Sequence, residues 1–463
     1  MELLRLINGL KNVDRPKAGV AMTIYRNLTA VLLTAALLCI SGVAVAQTDT
    51  IGPRSQGALT NWYKLALELV RHTPTYSPPV ASRAFAYIGV VGYEAVASGA
   101  DDMQSLAGQL SGLEPVPARD PAQTYDEAVV LDTALATAAQ DFFFNTGPTG
   151  QRAMAAMAKS QVAKAAEGVD AAVAARSRTH GQQIAQHIIA WSKTDGGAVI
   201  ENMGFPFEYP LVEVNGHWKP TSLIRQQQKP LLPNWGTNRS FALPVGADCG
   251  LPEPTAYSED PASDYYKQAV EVMDIKATLT DEQKKIARFW SDDPMLSPTP
   301  PGHWISVALQ ILQRDGADTK TSVDVMARLG VAVADAFIAN WQTKYQYDTL
   351  RPITYIRKVM DPKWEALLIT PPFPEYPSGH STQSGAAASV LTAIWGDGFT
   401  FEDATHEADG MAPRPFPSFW AAADEAAISR LYGGIHFRPA IEDGLDQGRC
   451  VGGFVNALKT LEK

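Results

Sequence analysis

Cysteine is nearly missing from this chain: only Cys39, Cys249 and Cys450 occur in 463 residues. So few cannot make the disulfide framework that staples small domains. Metal-ligand spacings are missing as well. No CxxC or HExxH is present, and the sequence gives a zinc site no support. No βαβ rhythm runs through the chain and no G-x-G-x-x-G follows a strand-like run, which excludes a dinucleotide-binding reading. There is no obvious internal repeat. Positive charge is in deficit, with 39 Lys and Arg against 49 Asp and Glu for a net charge of −10. Nucleic acid is therefore not an expected partner, and a cluster of cations in such a chain needs a local reason.

What is present begins with the amino terminus. Lys17 and Arg26 precede an apolar run, Leu28–Ile40, that closes on Ala44–Val45–Ala46 before Gln47. This is the layout of a secretory signal peptide over residues 1–46, and the run falls short of the roughly 20 residues a spanning helix needs. Met22 is an alternative start, since the residues before it add nothing to such a signal. The mature protein is expected to be secreted or periplasmic, with no membrane segment after cleavage. There Cys249 and Cys450 could pair, or stand as two separate buried thiols.

Periodicity predicts helices over 58–74 and 80–98, split by a Pro78–Pro79 break, then 125–145 and 151–195 with an interruption near Gly168. Residues 196–256 differ, being rich in Pro, Gly and Asn, with Tyr209–Val214 a short strand candidate. Helices return over 262–274, 280–291, 303–314 and 319–345. In the last of these Met326, Leu329, Val333, Phe337 and Trp341 form one apolar stripe, and Lys344 lies on the same face. The reading is an all-α helical-bundle protein. Residues 47–256 form an N-terminal helical region ending in the irregular excursion, and 257–463 form a C-terminal helical catalytic region.

Three segments carry the chemistry. They are Lys344-x6-Arg351-Pro352, Pro377-Ser378-Gly379-His380, and Ser429-Arg430-x5-His436. Pro352 is expected to stop the preceding helix and stiffen the chain at Arg351. Ser378 caps a helix whose open N–H groups favour an anion, and Gly379 allows close approach. Gly433–Gly434 ends another helix before His436, and Pro439 opens the final one, where Gly444, Gly448 and Gly452 predict close helix contacts. Together the segments supply three cations, a hydroxyl, a helix N-terminus and two imidazoles, the needs of a tetrahedral oxyanion. Asp292 and Asp293 read as solvated loop charges, pairing with an active-site arginine being the alternative.

This tripartite pattern resembles the type 2 phosphatidic acid phosphatase superfamily, which joins vanadium-dependent haloperoxidases to histidine-nucleophile phosphatases. Residues around the motifs are similar to the haloperoxidase branch: Ala336–Trp341 before Lys344, Arg351–Thr354, Pro371–Pro374, and Leu431–Arg438. The likeness covers about residues 280–455. It implies that His436 binds vanadate as the metal ligand, or attacks phosphorus in a phosphatase. Lys344, Arg351, Ser378, Gly379 and Arg430 would hold the cofactor oxygens. His380, Lys344 and His436 would be catalytic, with Lys344 contacting peroxide, and Trp341 and Phe373 would line the pocket. The implied activity is oxidation of chloride or bromide by hydrogen peroxide, with a small organic acceptor; a homo-oligomer is compatible with the family. Phosphate could occupy the same site, and an acid phosphatase is the alternative. Phe373 resembles the aromatic of chloroperoxidases. Histidine phosphatases commonly carry an aspartate four residues after the nucleophile; here that position is Ala440, which argues for peroxide chemistry.

Overall fold

Prolines and short polar side chains decide where the helices begin. The computed structural model describes residues 52–199, 209–222, 228–244 and 246–461. Residues 1–46, read above as a signal peptide, lie outside the described residues. Among those described, proline sits in the first turn of α1 (Pro53–Arg71), α2 (Pro78–Ala97) and α4 (Gly147–Ala165). Side-chain caps start α3 (Glu127–Phe142) from Asp126 and α5 (Ala171–Ser192) from Asp170. In the second half, Ser263 caps α6 (Asp264–Thr278), and a capping box at Thr280 and Gln283 opens α7 (Asp281–Phe289). Prolines open α8 (Thr299–Arg314), and Asp318 caps α9 (Thr319–Tyr347). Proline again opens α10 (Pro352–Val359), and Ser378 caps α11 (Gly379–Trp395). A two-stranded antiparallel hairpin follows, β1 (Phe401–Asp403) with β2 (Arg414–Phe416). Ser418 then caps α12 (Phe419–Tyr432), and Pro439 sits in the first turn of α13 (Arg438–Asn456). Each start is a proline whose missing N–H costs nothing there, or an oxygen that accepts an orphan N–H.

Several expectations need correction. Pro78–Pro79 opens α2 instead of breaking a helix from the previous one. Pro352 likewise begins α10, a helix the sequence reading missed, while α9 is stopped by Asp348 in a left-handed conformation, φ 50°. Tyr209–Val214 is not a strand; nearby there is only an isolated bridge between His217 and Thr349. Its chain lies against the bundle without a second strand to extend a ladder. The hairpin at 401–416 was not anticipated, because three-residue strands are too short to show a period.

The expected stripe on α9 understates its position. Residues on every side of this helix are buried, from Thr319 to Lys344, so it runs through the middle of the bundle. Midway along it Asp335 is fully buried and accepts N–H bonds from Phe241, Ala242 and Leu243, at 2.7, 2.8 and 2.9 Å. That carboxylate pins the irregular excursion to the central helix. The excursion then delivers Leu231, whose carbonyl accepts from Trp341 Nε1 and whose N–H donates to Pro372. One core cluster runs from Leu59 to Val455. Cys249 and Cys450 form a disulfide, joining the excursion to α13. A bond closing so long a loop stabilises by about 5 kcal/mol in the chain-entropy treatment.

One motif segment opens α11 and another ends just before α13, and glycine sets the separation of these two helices. A Cβ on Gly448 would lie 2.1 Å from the Thr382 carbonyl oxygen, and ones on Gly444 and Gly452 would meet Ser381 and Ser389 at 2.8 and 2.4 Å. Only bare backbone fits. Gly448→Val is therefore expected to destabilise the fold by about 3 kcal/mol, since the obstacle is a carbonyl that cannot move away. Chemical denaturation of the two proteins checks this; equal midpoints would show that the contact is not a constraint.

Candidate active site

Six stretches of chain converge on one cavity of about 320 Å³. Its polar lining includes Asp292, Asp293, Gly379, His380, Arg430 and His436; Leu231, Phe337, Trp341, Ile369 and Phe373 contribute apolar wall. Trp341 and Phe373 touch each other, with ring centroids 5.0 Å apart.

His436 sits just before α13, brought there by the left-handed Gly434 (φ 73°) that turns the chain after α12. Its ring is buried, with Nδ1 2.9 Å from Glu375 Oε1 and Nε2 3.0 Å from Arg351 Nη1. An arginine can only donate, so Nε2 is the acceptor and the ring proton belongs on Nδ1. Burial pushes His436 well below the ordinary histidine range, and Arg351, Lys344 and Arg430 push it the same way. A neutral imidazole with its lone pair on Nε2 is the form that binds an electrophilic centre.

Glu375 is the residue sequence reasoning missed. It accepts from both His436 Nδ1 and the Phe437 N–H, and is itself buried. Burial raises it to about 7, against the pull of Arg351, the Phe437 N–H and Lys344. The signal was there to find: Glu375 is a single charge in the apolar run Pro371–Pro377, two residues before the Pro-Ser-Gly-His motif. This corrects the weight placed on Ala440. Ala440 is buried and its carbonyl accepts the Ser378 N–H, while Glu442 is exposed beside Arg438 and Asp443 accepts from Tyr376. Orientation of His436 comes from another segment altogether, so its absence at 440 does not separate the two chemistries.

The cations are buried, with carboxylates near them but in direct contact with none of them among the described residues. Lys344, fully buried on α9, gives its three N–H donors to the carbonyls of Pro374, Glu375 and Pro377. It therefore clamps the 374–377 loop and is not part of the cavity lining. Burial pushes its ammonium well below the ordinary range, Arg351 adds to this and Glu375 opposes it. Arg351, the residue before α10, donates to the Phe373 and Ile435 carbonyls and to His436; burial lowers it to about 9. Arg430, in the last turn of α12, donates to the Trp290 carbonyl and burial lowers it to about 10. Desolvating each cation costs several kcal/mol; Glu375 opposes this for Lys344 and Arg351, and Asp293 and Asp292 do so for Arg430.

Ser378 caps α11 by accepting the Ser381 N–H, which leaves Gly379 and His380 at the open first turn. His380 Nε2 is buried without a hydrogen-bond partner, as are Arg351 Nη2 and Arg430 Nε. Burial holds His380 well below the ordinary range, Arg430 lowers it further and Asp292 opposes both, so it is a neutral base. Three unused polar groups around an excess of positive charge fit an oxyanion.

Asp292 is not the solvated charge expected. It is buried and lies 3.0 Å from His303 Nδ1, 3.4 Å from His406 Nε2 and 3.9 Å from His380 Nε2. Burial alone would raise it, but His303 and His406 outweigh that and hold it well below the carboxylate range. Asp293 borders the cavity; burial raises it, and Arg430 opposes the shift.

Comparisons with known proteins agree with this geometry. The VCPO second helical-bundle domain family matches residues 324–461. Vanadium chloroperoxidase of Curvularia inaequalis is 26% identical over a match covering 32% of this chain, and the match spans only 35% of that relative. A bacterial vanadium-dependent chloroperoxidase structure, 17% identical, shares the fold with a TM-score of 0.66 over 83% of this chain and 92% of that one. A bacterial vanadium-dependent iodoperoxidase structure is 37% identical, with a TM-score of 0.81 over 88% of this chain and 97% of that one. Likeness at that level over nearly the whole of both chains, with the shared helical bundle, places this chain in the vanadium-dependent haloperoxidase family.

Proposed function

We propose that the protein oxidises halide with hydrogen peroxide, using vanadate bound at His436. The observation that carries this reading is the set of unpaired buried groups, Arg351 Nη2, Arg430 Nε and His380 Nε2, arranged about the neutral His436 Nε2. Vanadate has the charge and shape of phosphate and, when bound, supplies a Lewis-acidic centre that activates peroxide. His436 Nε2 would be its protein ligand, released by Arg351 Nη1. Arg351, Arg430 and the Gly379 N–H would hold its oxygens, with the Ser378 hydroxyl, whose own proton is not used in capping Ser381. Lys344 would act by fixing the loop beneath them, or would exchange one carbonyl for an oxygen. His380 takes a proton at Nε2 from incoming peroxide. The apolar wall, including Trp341 and Phe373, keeps the cavity dry and strengthens each of these interactions.

Two cues bear on the halide. Phe373 points to chloride competence, whereas a relative 37% identical is an iodoperoxidase. Because iodide gives up electrons most easily and chloride least, turnover is expected to fall from iodide through bromide to chloride. A secreted or periplasmic location is supported by the disulfide, which persists in oxidising compartments, and by the layout of residues 1–46. A second reading, a phosphatase with His436 as nucleophile, gains from Glu375, which orients the imidazole as such chemistry requires. Chelator-treated protein reconstituted with orthovanadate should gain peroxide-dependent halide oxidation in proportion to bound vanadium. Without vanadate it should hydrolyse phosphate esters slowly at most. No oxidation of any of the three halides, together with brisk ester hydrolysis, would reverse the order.

A further inference from the structure

Behind His380 lies a second cluster that the reaction above does not use. We infer that Asp292, His303 and His406 form a binding site for a divalent transition-metal cation of the zinc class, next to the vanadate pocket, which Asp292 also borders. One ligand atom from each, an oxygen of Asp292, His303 Nδ1 and His406 Nε2, lies within 4.8 Å of the other two, and all three residues are buried. Two histidines and one carboxylate, with a position left open, are a set that zinc and ferrous iron favour.

The independent observation is the state of the imidazoles. His406 is only 4% exposed, yet its Nε2 has no partner nearer than Asp292 Oδ1, which it faces at a long 3.4 Å. Each histidine is also backed on its far nitrogen by a carboxylate, His303 Nε2 by Asp403 Oδ2 at 2.7 Å and His406 Nδ1 by Asp409 Oδ2 at 3.1 Å. Metal-bound histidines are held this way, since the second carboxylate fixes the tautomer and raises the basicity of the ligating nitrogen. Asp409 is in turn paired with Arg71, and Asp403 accepts the Thr405 N–H. Trp290 stacks on His303 at 4.4 Å and Phe289 packs against both imidazoles, giving the site a dry wall. In the metal-free protein a proton on His303 Nδ1 bridges to Asp292; the cation would replace it.

The ligands come from the α7–α8 loop, from α8 and from the connection inside the hairpin, so a cation would tie these together at the back of the pocket. It would also fix Asp292, whose Oδ2 is 3.9 Å from the His380 ring. Sequence spacing hid the site because its three ligands lie in separate segments.

The test is titration of the full, chelator-treated protein with Co²⁺, followed by visible absorption and by elemental analysis after gel filtration. One cobalt per chain is expected, with binding lost in His406→Gln. Asp409→Asn, a change at the protein surface that spares the core, should weaken binding by about tenfold. His436→Ala should leave cobalt uptake unchanged, which separates this site from the vanadate pocket. Failure of the wild-type protein to take up cobalt would overturn the inference. So would uptake that is the same in wild type and Asp409→Asn, or that disappears with His436.

Discussion

His436→Ala is expected to lose vanadate binding by about a thousandfold, roughly 4 kcal/mol, and halide oxidation with it. The reason is that Nε2 is a buried neutral nitrogen lone pair already turned toward the cation set, beside Arg351 and Arg430. Removing the ring also leaves Glu375 Oε1 with one donor fewer, and Arg351 Nη1 with the Ile435 carbonyl as its remaining acceptor. His380→Ala separates binding from turnover. Its Nε2 makes no hydrogen bond to the protein, so vanadate affinity should stay within a few fold of wild type. Turnover should fall by about a hundred- to ten-thousandfold, the usual contribution of a positioned proton acceptor. Equilibrium dialysis of vanadium beside steady-state bromide oxidation measures both. Undiminished vanadate affinity in His436→Ala would sink the ligand assignment, and full turnover in His380→Ala would sink the proton role.

Glu375 should give the next largest effect. Glu375→Ala leaves His436 Nδ1–H and the Phe437 N–H both buried and unpaired, frees the imidazole to turn, and removes the single carboxylate beside Lys344 and Arg351. A loss of about a hundredfold in vanadate affinity is expected, at the upper end for a group that orients a ligand. Glu375→Gln is the informative partner. Its amide oxygen can still accept both hydrogen bonds, so orientation survives while the charge goes. Affinity should recover to within about tenfold of wild type. If the charge were what mattered, glutamine would be as damaging as alanine. Wild-type affinity in Glu375→Ala would show that His436 is held by something else.

Lys344 illustrates how a residue legible in sequence takes on a different task in space. Its place on the inward face of α9 follows from helical period, and so does the cost of burying it. Its partners do not, because the three carbonyls that accept its protons belong to a loop some thirty residues further along the chain. Asp292 is the opposite case. In a stretch of Ser, Asp and Pro it looks like an exposed turn, and only the approach of α8 and the hairpin turns it into a buried, shared carboxylate.

By itself the sequence determined the helical class, most of the helices and the residues proposed for the oxyanion site. These are local matters: apolar spacing, a proline or a hydroxyl before each helix, and cation and histidine motifs whose chemistry is written in their residue types. Tertiary structure alone decided three others. It gave His436 its orienting carboxylate from the segment before the Pro-Ser-Gly-His motif. It also joined Cys249 to Cys450, and gathered Asp292, His303 and His406 from three segments into one buried cluster. The physical reason is the same in each case. Contacts between distant segments depend on how close two backbones come, and in this bundle that distance is set where side chains are missing, as at Gly448 between α11 and α13.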